Sequence, residues 1–159
     1  MSAATDTVDP VAVEILDLLR DRGWMLGAAE SLTGGAFGSA IAAVSGASDA
    51  FAGSIVSYAT EVKRSVLGVT AESVISEDAA IEMARGARRV LGCDIAVSMT
   101  GVAGPGLQEG QPAGTVVLGL SVGDVESATR LALDGDRQAV RMATVSAALG
   151  RVRDALVAG

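Results

Sequence analysis

The sequence predicts a single layered α/β domain, helices on both faces of a mixed sheet. Three observations lead there. The chain has 159 residues, close to the size at which one hydrophobic core is usual. Half of it is hydrophobic but only 3% is aromatic, so the core is aliphatic and the twenty glycines suit close helix-on-sheet packing. Helical-period segments alternate with short apolar runs, and the last two runs are adjacent, which makes the sheet mixed.

The elements follow in order. Asp9-Pro10 is an N-cap with proline at the first helical position; Val13, Leu16 and Leu19 carry the period, and Gly23 ends it. Trp24 to Ala29 suits a buried strand, and Glu30 to Gly35 is a turn. Ala36 to Val44 is small and apolar and reads as a tightly packed helix. Ser54 to Tyr58 is a second strand and Glu61 to Leu67 a short helix. Ser76 caps a helix through Ile81, Met83, Ala84, Ala87 and Val90. Its residues Arg85, Arg88 and Arg89 read as a solvated face. Ile95 to Met99 is a third strand, running into the glycine-rich Thr100–Gly106 turn. Residues 107–113 read as a polar loop. Thr115 to Val122 and Glu126 to Leu133 are strands joined at Gly123-Asp124 as a hairpin. Gly135-Asp136 opens a final helix to about Val157.

Composition excludes several function classes. A net charge of −7 opposes nonspecific binding to nucleic acid, which needs a basic face. No apolar run reaches the roughly 18–20 residues that span a bilayer, so no membrane partner is expected. Residues 1–9 lack a basic signal-peptide start and read as a flexible segment ahead of a domain over 10–159. Cys93 stands alone, which fits a reducing compartment, and a cytoplasmic location is expected. With no histidine and one cysteine, no metal site is expected. The small-residue helices fit self-association into a homo-oligomer.

Lys63 is the only lysine, and eleven arginines supply the remaining basic charge. Arginine cannot lose its proton near neutral pH; a buried lysine can. Its ammonium must be disfavoured by about 4 kcal/mol to titrate there, and Phe51, Ile55, Val56 and Val62 are apolar neighbours in sequence. A serine nucleophile needs a base, and a Ser–Lys pair is the alternative to histidine. Ser48 and Tyr58, the only tyrosine, lie close in the chain. Ser31-Leu32-Thr33-Gly34-Gly35 and Thr100-Gly101-Val102-Ala103-Gly104-Pro105 each follow a predicted strand and bare backbone N–H groups for an anion. Neither matches a P-loop or a dinucleotide fingerprint, so an ATPase or dehydrogenase is not expected. Arg137 and Arg141 lie four apart on the last helix, suited to phosphate or carboxylate.

These stretches, with Gly46…Ser48…Phe51, Tyr58…Glu61-Val62-Lys63, Gly114-Thr115-Val116 and Gly135-Asp136-Arg137, occur in one order and approximate spacing. In this the chain resembles the CinA C-terminal domain family over about residues 10–155. The family includes stand-alone nicotinamide mononucleotide deamidases; its longer members carry an additional N-terminal domain, for which 159 residues leave no room. The resemblance implies an amidohydrolase that converts nicotinamide mononucleotide and water to nicotinate mononucleotide and ammonia without metal or cofactor. It implies Ser48 as nucleophile, Lys63 as base and Tyr58 as its assistant. It implies Glu30, Ser31, Thr33, Gly34, Gly35, Thr100, Gly101, Ala103, Gly104 and Arg137 as the substrate's contacts. The chain departs from the family at Ala59-Thr60, where Ser-Asn is frequent, and at Leu107-Gln108 and Gln111. An amidase on another small amide, and a nonenzymatic partner-binding domain, are the alternatives.

Overall fold

A computed structural model describes residues 7–159; the segment expected to be flexible lies largely outside them. Helix α1 (Pro10–Arg22) is capped by the Asp9 carboxylate, which accepts from Val11 N at 2.9 Å. Strand β1 (Leu26–Glu30) is buried throughout. Helix α2 (Ala36–Ala42) is followed by a single 3₁₀ turn, Ala47–Asp49. Strand β2 (Phe51–Val56) leads into helix α3 (Thr60–Ser65). Helix α4 (Glu77–Leu91) is capped by Ser76 Oγ. Then come β3 (Ile95–Gly101), β4 (Thr115–Val122) and β5 (Val125–Ala132). Helix α5 (Arg137–Ala158) is capped by Asp136.

The five strands form one sheet in the order β2-β1-β3-β4-β5. β1 runs parallel to β2 and β3; β3–β4 and β4–β5 are antiparallel, so the expected mixed sheet is present. One core cluster packs α1, α2 and α5 against the sheet through Leu16, Leu19, Phe37, Val97 and Leu149. The other packs α4 through Ala79, Met83 and Ala87 against Ala29 and Ala96. These are the three layers.

Most boundaries shift by one or two residues, and two segments differ more. β2 begins at Phe51, not Ser54, because Phe51 already pairs with Leu26; the register then shifts at Gly27, and Gly53 has φ 147°. Ser57 and Tyr58 lie past its end. The 107–113 loop is also more ordered than a polar loop suggests: Gln108 and Gln111 form an isolated antiparallel bridge around Glu109-Gly110.

Since β1, β2 and β3 are parallel, their C-terminal ends share one edge of the sheet. Loops leaving that edge form a crevice, the usual place for a ligand in open α/β sheets.

Candidate active site

At this edge a cavity of about 260 Å³ is bordered by Ser31 and Leu32 after β1, Tyr58 after β2, Gly101–Gly104 at the end of β3, Gly106–Gln108, and Arg137 at the start of α5. Six of the residues implicated by sequence meet there: Ser31, Tyr58, Gly101, Ala103, Gly104 and Arg137.

Glu30 organises the wall behind Ser31. Its carboxylate is fully buried. Oε1 accepts from Thr33 Oγ1 at 2.7 Å, Gly35 N at 3.2 Å and Phe37 N at 2.9 Å. Oε2 accepts from Gly38 N at 3.0 Å and Ser54 Oγ at 2.6 Å. One side chain thus ties the turn, the start of α2 and β2 together. Gly34 (φ 59°) and Gly35 (φ 104°) take the left-handed conformations that let this turn close. Arg141 seals it from outside, donating to Leu32 O and Thr33 O, both at 3.0 Å. Glu30, Thr33, Gly34 and Gly35 therefore build the wall and do not border the cavity, a correction to their expected substrate contacts. Thr100 is corrected likewise: it is buried and its Oγ1 donates to Val74 O at 2.6 Å.

Ser31 follows β1, with its N–H on Met99 O. It is nearly buried, and its hydroxyl makes no hydrogen bond among the described residues. Glu30 pairs with Val56 across the β1–β2 ladder, so Ser57 lies alongside Ser31. Ser57 N and Oγ both donate to Glu30 O, at 2.7 and 3.1 Å.

Lys63, on α3, is 2% exposed. Its Nζ donates to Ser57 O at 2.8 Å and Tyr58 O at 3.1 Å, leaving one of its three N–H positions uncommitted. Burial pushes its pKa down from the ordinary 10.5, opposed by the negative field of Glu109. Glu109 is held across from it, accepting from Ser73 Oγ and Val74 N. The sole lysine is thus buried directly behind the Ser57–Tyr58 backbone, whose carbonyls fix its amine.

Arg137 spans the mouth. Nη1 donates to Gly104 O and Nη2 to Tyr58 Oη, both at 2.8 Å. The Ala103 and Gly104 N–H groups have no backbone acceptor among the described residues.

Ser48 is elsewhere. It is exposed in the 3₁₀ turn before β2, whereas Lys63 follows β2's far end. Six residues of strand put them roughly 15–20 Å apart. Its neighbour Asp49 pairs with Arg20 of α1 at 3.8 Å, at the opposite edge of the sheet. Within one chain Ser48 and Lys63 are not a pair, and Ser31 is the serine at the cavity. Ser57 was not anticipated; Gly106, Leu107 and Gln108 belong to the loop where the chain departs from the family pattern, but were not among the expected contacts. Ser57 acts through its backbone carbonyl, which leaves no trace in residue type.

Among the described residues no cluster of three His, Cys, Asp or Glu side chains is placed to hold a metal, and no helix is long and apolar enough to cross a membrane.

Comparison with known proteins agrees with the fold. A CinA-superfamily protein from Klebsiella pneumoniae 700603 superposes with a TM-score of 0.91 at 32% identity, covering 97% of this chain and 100% of that one. The competence damage-inducible protein A of Klebsiella pneumoniae subsp. pneumoniae MGH 78578 superposes with a TM-score of 0.89 at 34% identity, over 92% and 95% of the two chains. A CinA-like protein from Frankia casuarinae is 44% identical over 155 residues, 94% of this chain and 35% of its own length. The chain spans about a third of the length of the curated relatives it matches. The model of the CinA C-terminal domain matches residues 8–156, nearly the whole chain, and this chain belongs to the CinA C-terminal domain family.

Proposed function

We propose that this domain hydrolyses the carboxamide of nicotinamide mononucleotide, releasing ammonia, with Ser31 and not Ser48 as the nucleophile. The observation that carries the reading is an unbonded Ser31 hydroxyl at the cavity, next in the β1–β2 register to Ser57, whose carbonyl with that of Tyr58 fixes the buried Lys63 amine just outside the cavity lining.

Neutral Lys63 takes the Ser31 proton as Oγ attacks the carboxamide carbon. The tetrahedral oxyanion is held by backbone N–H groups near the cavity, those of Ala103 and Gly104 being available. Collapse breaks the C–N bond; Lys63 returns the proton to the departing ammonia, leaving a seryl ester. Water, deprotonated by Lys63, then attacks the ester; collapse breaks the acyl–Oγ bond, Lys63 returns its proton to Ser31 Oγ, and the acid loses its proton to ammonia as the carboxylate. Tyr58, tethered by Arg137, holds the amine through its backbone carbonyl, and Arg137 supplies the positive charge for the nucleotide's phosphate. At about 260 Å³ the cavity is below the usual range of about 300–1,000 Å³ for ligand sites. It suits the carboxamide end, with the phosphate at the open mouth.

An ammonia-release assay tests this. Ser31→Ala and Lys63→Arg are each expected to lose at least about 10³-fold in kcat/KM, and Ser48→Ala to stay within about twofold. Loss in Ser48→Ala with activity kept in Ser31→Ala would reverse the assignment. A second reading, an amidase for another small amide, is favoured by one observation: Leu107 and Gln108, where the chain departs from its family, border the cavity. Comparing nicotinamide mononucleotide, nicotinamide riboside and nicotinamide as substrates decides between them.

A further inference from the structure

A second concavity lies at the other edge of the sheet. It is a groove of about 580 Å³ flanked by Trp24 before β1, Asp94 before β3 and the β4–β5 turn. Arg22, Arg88 and Arg151 enter it from α1, α4 and α5. Arg88 is not the solvated residue that its helix pattern suggests. Arg85 fits that pattern and is paired with Glu126 at 2.6 Å. Arg88 is half-buried; its Nη1 donates to Ser121 Oγ at 3.2 Å and Gly123 O at 2.8 Å. Its Nε is the one buried side-chain nitrogen or oxygen without a hydrogen-bond partner among the described residues.

Arg151 donates a single bond, to Ser127 Oγ at 2.7 Å. Neither Arg88 nor Arg151 has a carboxylate within ion-pair distance among the described residues. Glu126, whose charge Arg88 also influences, is engaged by both Nε and Nη2 of Arg85. Asp94 spends an oxygen on Met25 N at 2.8 Å. Arg22 is committed to the carbonyls of Leu156 and Gly159 and sits 5.7 Å from the centre of the Trp24 ring. Three arginines line the groove together with Asp94, Asp124 and Gly159, the last residue of the sequence.

We propose that this groove binds a small organic anion, an aryl phosphate or carboxylate. Its anionic head sits on Nη2 of Arg88, which is unbonded and not buried, and on the spare donors of Arg151, and its flat body lies against Trp24 and the apolar wall of Leu120, Val122 and Ala155. The two arginines provide the forked donors such a head needs, and the aromatic and aliphatic wall selects against a bare inorganic ion. The proposal is independent of the amide hydrolysis, since no groove residue borders the other cavity.

Trp24 is the only tryptophan, so its fluorescence reports this groove alone. Phenyl phosphate, benzoate and inorganic phosphate are titrated against the full chain, with calorimetry in parallel. A saturable response to phenyl phosphate or benzoate is expected, half-complete at or below about 1 mM, with inorganic phosphate at least about tenfold weaker. Arg88→Gln and Arg151→Gln should each weaken binding by about tenfold or more. Arg151 makes only one bond, so its variant keeps the test valid if Arg88→Gln fails to fold. A linear response, equal binding of inorganic phosphate, or unchanged affinity in a folded Arg151→Gln overturns the proposal.

Discussion

Lys63 shows how burial and two backbone carbonyls hold a single amine in place. Burial lowers its pKa from 10.5, so the neutral form gains population as pH rises toward that value. If Lys63 is the base, activity climbs along an acid limb whose midpoint lies below 10.5. Glu109 favours the ammonium. Glu109→Gln removes that support, so the limb should move to lower pH, measured as the kcat/KM profile; a shift to higher pH would contradict this sign. Glu30 is the second informative residue. Five donors converge on its two buried oxygens. Glu30→Gln turns one acceptor into a donor facing other donors, and should destabilise the fold by about 3 kcal/mol. Urea denaturation measures that loss. Lys63 was legible because its rarity is a fact of composition. The structural part of Glu30 was not, since a carboxylate beside a glycine turn looks the same whether it meets substrate or backbone.

At the scale of elements, caps were the clearest signal. Asp9, Ser76 and Asp136 each bond the backbone N–H that their helix leaves open. β2 was displaced because its first half, Phe51-Ala52-Gly53, carries a glycine and a register shift that hide the strand pattern. The contact between α4 and β4 depends on a glycine that no periodicity marks. A Cβ on Gly119 would lie 2.1 Å from Ala80 O and 2.4 Å from Ser98 Oγ. Alanine would normally favour a strand over glycine by about 0.5–1 kcal/mol. Here the backbone of α4 must retreat, so Gly119→Ala should destabilise by about 2 kcal/mol or more. A melting temperature at or above the wild type would refute this packing.

For the whole molecule, topology decides which residues meet. Ser48 and Lys63 lie close in sequence, but the β2 strand between them carries the chain from one edge of the sheet to the other. Ser31 and Lys63 are far apart in sequence and share one edge, because β1 and β2 are parallel neighbours. Strand order is a long-range property that local patterns do not encode, which explains why the class of fold was readable and the separation of Ser48 from Lys63 was not. The same topology separates the two concavities, one beyond the C-terminal ends of β1 and β3, the other before their starts. The Glu30 anchorage has a last consequence, for how this domain can diversify. One side of the cavity is interlocked: altering the turn disturbs a helix and a strand at the same time. The other side is bordered by Gly106, Leu107 and Gln108, which are exposed and lie outside that network. Heritable change in ligand preference therefore has a cheap route and a costly one, and new specificities should accumulate on the loop side while the serine side stays constant.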